Sequence, residues 1–266
     1  IHTAFPTLAY TERPDRFSAG VVEGRVGLLI DGLPLGWLLP GTLSQFFKTP
    51  QDKSQGWMAA SALMVLRYLC MLITLFLPAV YIAAVTFHLE MLPTELALSI
   101  IAAKQDVPFT TVFEVLLMLV AFEIIQEAGL RLPSSIGQTV SILGGLVVGS
   151  AAVEARIVSP AVLIVVAVAG IAGYTMPSQD FAGALRIWRF GLAALASLAG
   201  MFGAAIGALL LICHLASLES FGVAYLTPFA ANDGEQVEGH AVIRQPLPSV
   251  KLREAALKTQ NRRNQR

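Results

Sequence analysis

Charge is scarce in this 266-residue chain: Asp, Glu, Lys and Arg make up only 14% of it, against about 25% in soluble domains. The formal net charge is zero, which removes any global pull toward nucleic acid. Cysteine is nearly absent. Cys70 and Cys213 both sit in apolar runs, a setting for small buried hydrophobes and not for a disulfide framework. No HExxH, CxxC or other metal spacing occurs, and His2, His88, His214 and His240 are scattered. No nucleophile, base and orienting group come together, so no enzymatic activity, cofactor or metal is expected. The chain opens on Ile1 with nothing resembling a signal peptide, so a piece of a longer chain is expected.

What is present in excess is apolar sequence. Hydrophobic residues reach 55% and mean hydropathy is +0.68. Four stretches lack Asp, Glu, Lys and Arg: Tyr68 to Leu89, Leu132 to Val153, Ile157 to Gln179, and Phe190 to Leu218. Each is long enough to cross a bilayer, which takes about 20 apolar residues, and a helix is the form that satisfies its own backbone there. A fifth run, Val112 to Ile125, is shorter and carries Glu114 and Glu123; with Pro93-Thr94-Glu95 ahead of it, residues 92–128 read as two short helices in or dipping into one membrane face. The fold class expected is mainly α, a polytopic transmembrane helical domain preceded by the end of a soluble α/β domain. Residues 1–62 form that end and a connector, 63–220 the membrane domain, and 221–266 a basic tail.

The soluble end reads as a helix over residues 12–22 and two strands, Val26 to Ile30 and Leu35 to Leu39, joined by a turn at Asp31-Gly32. Two strands and a helix make no stable core alone. The tail after His240 holds Arg244, Lys251, Arg253, Lys258, Arg262, Arg263 and Arg266 against Glu254, and Lys48, Lys53 and Arg67 flank the first span. Both ends are therefore expected in the cytoplasm, which requires an even number of crossings. Four crossings put Arg186 and Arg189 on the outer side; six, with 92–128 crossing twice, remain open. The tail from Asn232 reads as flexible, with a short helix near residues 250–260.

The stretch Ser134 to Ala155 differs from the other spans. Ser134, Gln138, Ser141, Gly145, Val148 and Ala152 share one helical face, and all but Val148 are polar or small. Such a face suits the lining of a water-filled pore. Close packing is the other reading, because Gly145-x-x-x-Gly149, with Gly144 beside it, is a helix-contact pattern. Gly203 and Gly207 in the last span read as packing positions. Acids outnumber bases between Glu90 and Arg131: Glu90, Glu95, Asp106, Glu114, Glu123 and Glu127 against Lys104 and Arg131. Around an oligomer these would form an acidic vestibule; singly they are a solvated surface. Glu114 and Glu123 stand out, because ionisable groups inside apolar runs are costly; nine residues apart, they lie on opposite helix faces. Arg186 and Arg189 fit lipid phosphates, a partner acid such as Asp180, or interfacial snorkelling.

Several segments resemble one known family. Thr11-Glu-Arg-Pro-Asp15, Glu23-Gly-Arg-Val26 and Asp31-Gly32 are similar to the join between soluble and membrane domains in the A subunits of spore germination receptors, the GerA family. FHLEMLPTELALSI (Phe87 to Ile100), EAGLRLPSSIGQTVSILGGLVVGSAAVEARIVSP (Glu127 to Pro160), MPSQDFAGALRIWRF (Met176 to Phe190) and HLASLESFGVAYLTP (His214 to Pro228) extend the resemblance over nearly the whole chain. It departs at Leu89 and Ala224, where the family often has Pro. A paralogue encoded with the dipicolinic acid release proteins is similar too. The resemblance implies a membrane subunit at the spore inner membrane, multi-pass, acting with a transporter-like B subunit and a lipoprotein C subunit. It also implies a homo-oligomer forming a ligand-gated cation channel. A non-conducting scaffold for germination proteins and a secondary transporter are the competing classes, and membrane lipid is an expected partner.

Overall fold

The computed structural model describes residues 3–131, 148–229, 242–243 and 257. The chain divides into two compact units. The first takes in residues 1–71, 175–184 and 210–266, and the second residues 72–174 and 185–209.

The first unit carries a small sheet. Strands β1 (Ala9–Thr11), β2 (Val26–Leu29) and β3 (Gly36–Leu39) lie in the order β1-β3-β2, all antiparallel. Helix α1 (Pro14–Glu23) starts with Pro at its first position and stops where Gly24 turns left-handed at φ 105°. It covers the sheet through Phe17, whose ring sits where a Cβ on Gly27 or Gly36 would be, and through Gly20 against Leu38. The expected strands are present, but the connection is longer than a tight hairpin. Leu29 pairs with Gly36, and the bend runs from Ile30 to Leu33, with Gly32 at φ 81°. β1 was missed because three residues are too few to show an alternation.

An aromatic core follows. Helix α2 (Leu43–Phe47) contributes Phe46 and Phe47, and Phe181 stacks on Phe46 with centroids 5.9 Å apart. Phe5 and Tyr225 approach the same cluster at 5.8 and 6.2 Å. Segments distant in sequence are tied by the backbone: Leu43 N–H donates to the Tyr225 carbonyl at 2.8 Å, and the Ser220 hydroxyl donates to the Thr7 carbonyl at 2.6 Å. His214 bonds the Thr3 hydroxyl at 2.9 Å. Helix α3 (Pro50–Ser54) opens with a capping box in which Asp52 accepts the Thr49 N–H at 2.7 Å. Asp52 also receives both ends of Arg67, at 2.7 and 2.9 Å, while Arg67 donates to the Phe47 carbonyl at 2.7 Å. Burial pushes the Asp52 carboxyl up, but the Arg67 guanidinium and the Thr49 donors outweigh it and hold the group below its ordinary value.

Helix α4 (Trp57–Phe87) leads into the second unit, with Pro78 inside it. After a 3₁₀ turn (Leu89–Met91) come α5 (Thr94–Lys104), α6 (Thr111–Arg131) and α7 (Pro160–Gly173); residues 148–154 are also helical. Val115, Met118, Leu119 and Phe122 repeat on one face of α6 at 3-4 spacing and meet Val158, Val162 and Val166 of the α7 region, Ile82 of α4, and Ala193. Gly170 of α7 lies against the Phe122 ring, and the Thr74 hydroxyl donates to the Ala169 carbonyl at 3.2 Å. α6 is one helix of 21 residues, longer than the short segment expected.

Helix α8 (Gln179–Ser217) corrects the expectation of one unbroken span over Phe190 to Leu218. Ala199 and Gly200 leave helical geometry, Gly200 taking φ 60° and ψ −139°, a region open to glycine and costly for other residues. A Cβ on Gly207 would lie 2.6 Å from Leu192, although these positions would be about 22 Å apart along a continuous helix. Gly203 likewise abuts the Leu195 carbonyl. The element is therefore a helical hairpin, with its tip at Gly200 against Phe87 and His88. Among the described residues, α4 and α8 are the helices long and apolar enough to cross a membrane, and the hairpin divides the second of these into two arms.

Candidate functional site: two charged clusters on helix α6

Ionisable groups surrounded by apolar residues are the usual mark of function in a membrane-like setting, and α6 carries two such groups. Glu114 lies in its first turn and is fully buried. One carboxylate oxygen accepts the Ser159 N–H at 2.8 Å. Ser159 is the N-cap residue of α7, and Pro160 follows it at the first helical position, so the carboxylate sits where the helix dipole favours negative charge. The other oxygen stands 3.9 Å from the Lys104 ammonium, beyond hydrogen-bond distance, while Lys104 donates to the Thr111 hydroxyl. Glu114 thus fastens the ends of α5, α6 and α7 together. A carboxylate buried in this way caps a helix within the single chain.

Glu123, about 14 Å further along the helix, faces elsewhere, as its spacing from Glu114 requires. It receives Arg186 at 3.3 Å on one oxygen and Arg189 on the other. Arg189 is 1% exposed and so does not snorkel; its guanidinium also lies 5.9 Å from the Phe190 ring centroid. Asp180, weighed from sequence as the arginines' partner, instead accepts from the Tyr10 hydroxyl at 3.4 Å. Among the described residues, the ion pairs of this cluster join two positive charges to one negative.

The remaining sequence candidates are distributed as follows. Ser134, Gln138, Ser141, Gly144 and Gly145 lie outside the described residues. Val148 is exposed, and Ala152 is half-buried against the second unit's core. A Cβ on Gly149 would stand 3.0 Å from Leu163, and Gly203 and Gly207 lie against the opposing arm of their own hairpin. The arginine partners of Glu123 were not identified from sequence, because 63 and 66 residues separate them. The usable signal was that one acid and two bases stood alone in apolar runs and needed neutralising. Among the described residues no group of acids, histidines and cysteines is arranged to hold a metal ion.

The family model described as Bacillus/Clostridium GerA spore germination protein matches residues 2–256. The chain is 44% identical over 249 residues to spore germination protein B1 of Bacillus subtilis, covering 94% of this chain and 51% of that protein. It is 43% identical over 244 residues to spore germination protein KA of the same organism, covering 92% and 45%. It is also 41% identical over 237 residues to a B. subtilis protein described as uncharacterized membrane protein YfkQ, covering 89% and 46%. The chain belongs to the GerA spore germination family, and it spans about half the length of these relatives. No solved structure gives a significant match.

Proposed function

We propose that the chain is the membrane part of an A-type subunit of a nutrient-sensing spore germination receptor, a non-enzymatic protein whose copies assemble into a ring-shaped cation channel. The observation that carries the receptor reading is the family match across residues 2–256. Its partners on this reading are further copies of itself, a transporter-like B subunit, a lipoprotein C subunit and the lipid of the spore inner membrane. Nucleic acid is not among them. Membrane insertion is supported by α4, which is long and apolar enough to cross, and by the apolar hairpin of α8. The first arm, residues 179–198, carries Asp180, Arg186 and Arg189, and its charge-free part from Phe190 to the tip would rise about 14 Å, so the hairpin dips into a hydrocarbon core from one side and does not cross it.

Both ends of this hairpin, residues 179–184 and 210–217, belong to the unit that holds the N-terminal sheet. The basic tail argues that this side is cytoplasmic. Arg186 and Arg189, close to one end of the hairpin, then follow the positive-inside bias, whereas a single span had set them against it. A secondary transporter typically has helices interrupted in line near the membrane centre; the break at Gly200 reverses the chain, which is a different geometry.

The channel reading rests on the face formed by Ser134, Gln138, Ser141, Gly145, Val148 and Ala152, with Val148 as its only large apolar member. An apolar constriction gates by excluding water. Val148→Ser should therefore give potassium loss from liposomes carrying the assembled protein, without nutrient. Gly149→Leu, forced against Leu163, should lower assembly without raising leakage. Normal assembly of Val148→Ser with wild-type tightness would remove this face as the gate.

A further inference from the structure

We propose that Arg186, set beside Glu123 and the sealed Arg189, forms a seat for a phosphate group, supplied by the headgroup of an anionic phospholipid. The inference rests on the membrane reading above and adds a ligand to it. Its first support is charge. Two guanidinium groups share the Glu123 carboxylate, one positive charge more than it neutralises among the described ion pairs. Each arginine offers five N–H donors, and Glu123 engages a single nitrogen of each, so the exposed edge of Arg186 keeps donors for a second acceptor. A phosphate brings several acceptor oxygens that match the guanidinium fork.

The second support is access. Arg189 is sealed, but the side chains of Arg186 and Glu123 keep 19% and 20% of their surface, so the cluster reaches the exterior at Arg186. The residues beside them in sequence, Ile187 and Ile124, are each 64% exposed, a surface that acyl chains would cover. The Tyr174 ring packs 6.1 Å from Phe122 while its hydroxyl lies in the field of both Arg186 and Glu123, combining an apolar body with a polar tip as side chains at headgroup depth do. A charged group opening among exposed isoleucines suits an amphiphile with an anionic head.

The test uses the 266-residue chain, purified in detergent and reconstituted with defined lipid. Flotation with vesicles of phosphatidylcholine alone examines membrane insertion; failure to float would overturn the membrane reading on which the seat depends. Native mass spectrometry then counts the lipids retained from equimolar phosphatidylglycerol and phosphatidylcholine. Selective retention of phosphatidylglycerol is expected, with Arg186→Gln lowering it about tenfold, the loss of a charge-assisted contact, and Arg186→Lys restoring part of it. Inorganic phosphate added in excess separates the sources. If it leaves the retained lipid in place, the headgroup is the ligand; if it displaces the lipid and binds without it, free phosphate is, and the lipid assignment falls. Should Arg186→Gln fail to assemble, the two-lipid competition on the unaltered chain decides alone. Flotation together with equal retention of both lipids would overturn the seat while leaving the membrane reading intact.

Discussion

Asp52 and Glu123 are both carboxylates met by arginine inside the fold, yet their surroundings differ. Asp52 takes both ends of one guanidinium and caps a helix, and Arg67 spends a remaining donor on the Phe47 carbonyl. Charges balance and geometry is bidentate, so the pair is closed. Glu123 divides itself between two arginines, one positive charge more than it neutralises among the described ion pairs. A closed pair holds structure together. An unbalanced one within an apolar unit remains able to take another ion, which is why the second cluster and not the first reads as a site.

The comparison can be broken most directly at Asp52. Asp52→Asn leaves Arg67 buried without its countercharge, and a loss of about 3 to 5 kcal/mol is expected, read as a lower unfolding midpoint in detergent. The same pair predicts a pH dependence. Because the folded-state value of Asp52 is depressed, its contribution is present above the unfolded value of about 3.9 and is lost as pH falls through the lower, folded value. Acid melts of the unaltered protein should be steeper in that range than those of Asp52→Asn. Equal curves would mean that the pair does not hold the first unit together.

At Glu123 a cost of the same order, about 3 to 5 kcal/mol, is expected for Glu123→Gln, because Arg189, 1% exposed, is left without the carboxylate it pairs with, although Arg186 reaches the exterior. Anionic lipid should restore part of this loss and should do nothing for Asp52→Asn. Rescue of both variants, or of neither, would erase the distinction between the closed and the open cluster. Least affected should be Asp15→Asn. Arg13 bonds Asp15 at 2.7 Å with both side chains more than half exposed, and solvent screens such pairs. Its midpoint should match the unaltered protein, giving the baseline for the other two.

Much of the architecture was legible in residue order. The runs in α4 and α8 announced themselves by length and lack of charge, and the strands around Asp31-Gly32 by their short apolar runs and the turn between them. Gly203 and Gly207 were readable as contact positions, but not their partner, because a small residue states only that something comes close. The pore-facing pattern from Ser134 to Gly145 is a statement of sequence alone, since those residues lie outside the described structure. Glu114 and Glu123 were recognisable as costly, yet the cost does not say how it is met: one is capped against Ser159, the other paired with arginines.

By itself, then, the sequence determined the apolar helices, the mainly helical class and the isolation of the charges, because composition and periodicity are local properties that survive without coordinates; the family came from the resemblance of its ordered motifs. The tertiary structure alone decided that Gly200 reverses the last helix, that residues 175–184 and 210–229 join the N-terminal unit, and that Glu123 gathers Arg186 and Arg189. Each depends on groups far apart in the chain. Their proximity follows from how the helices pack, and no window of residues records that.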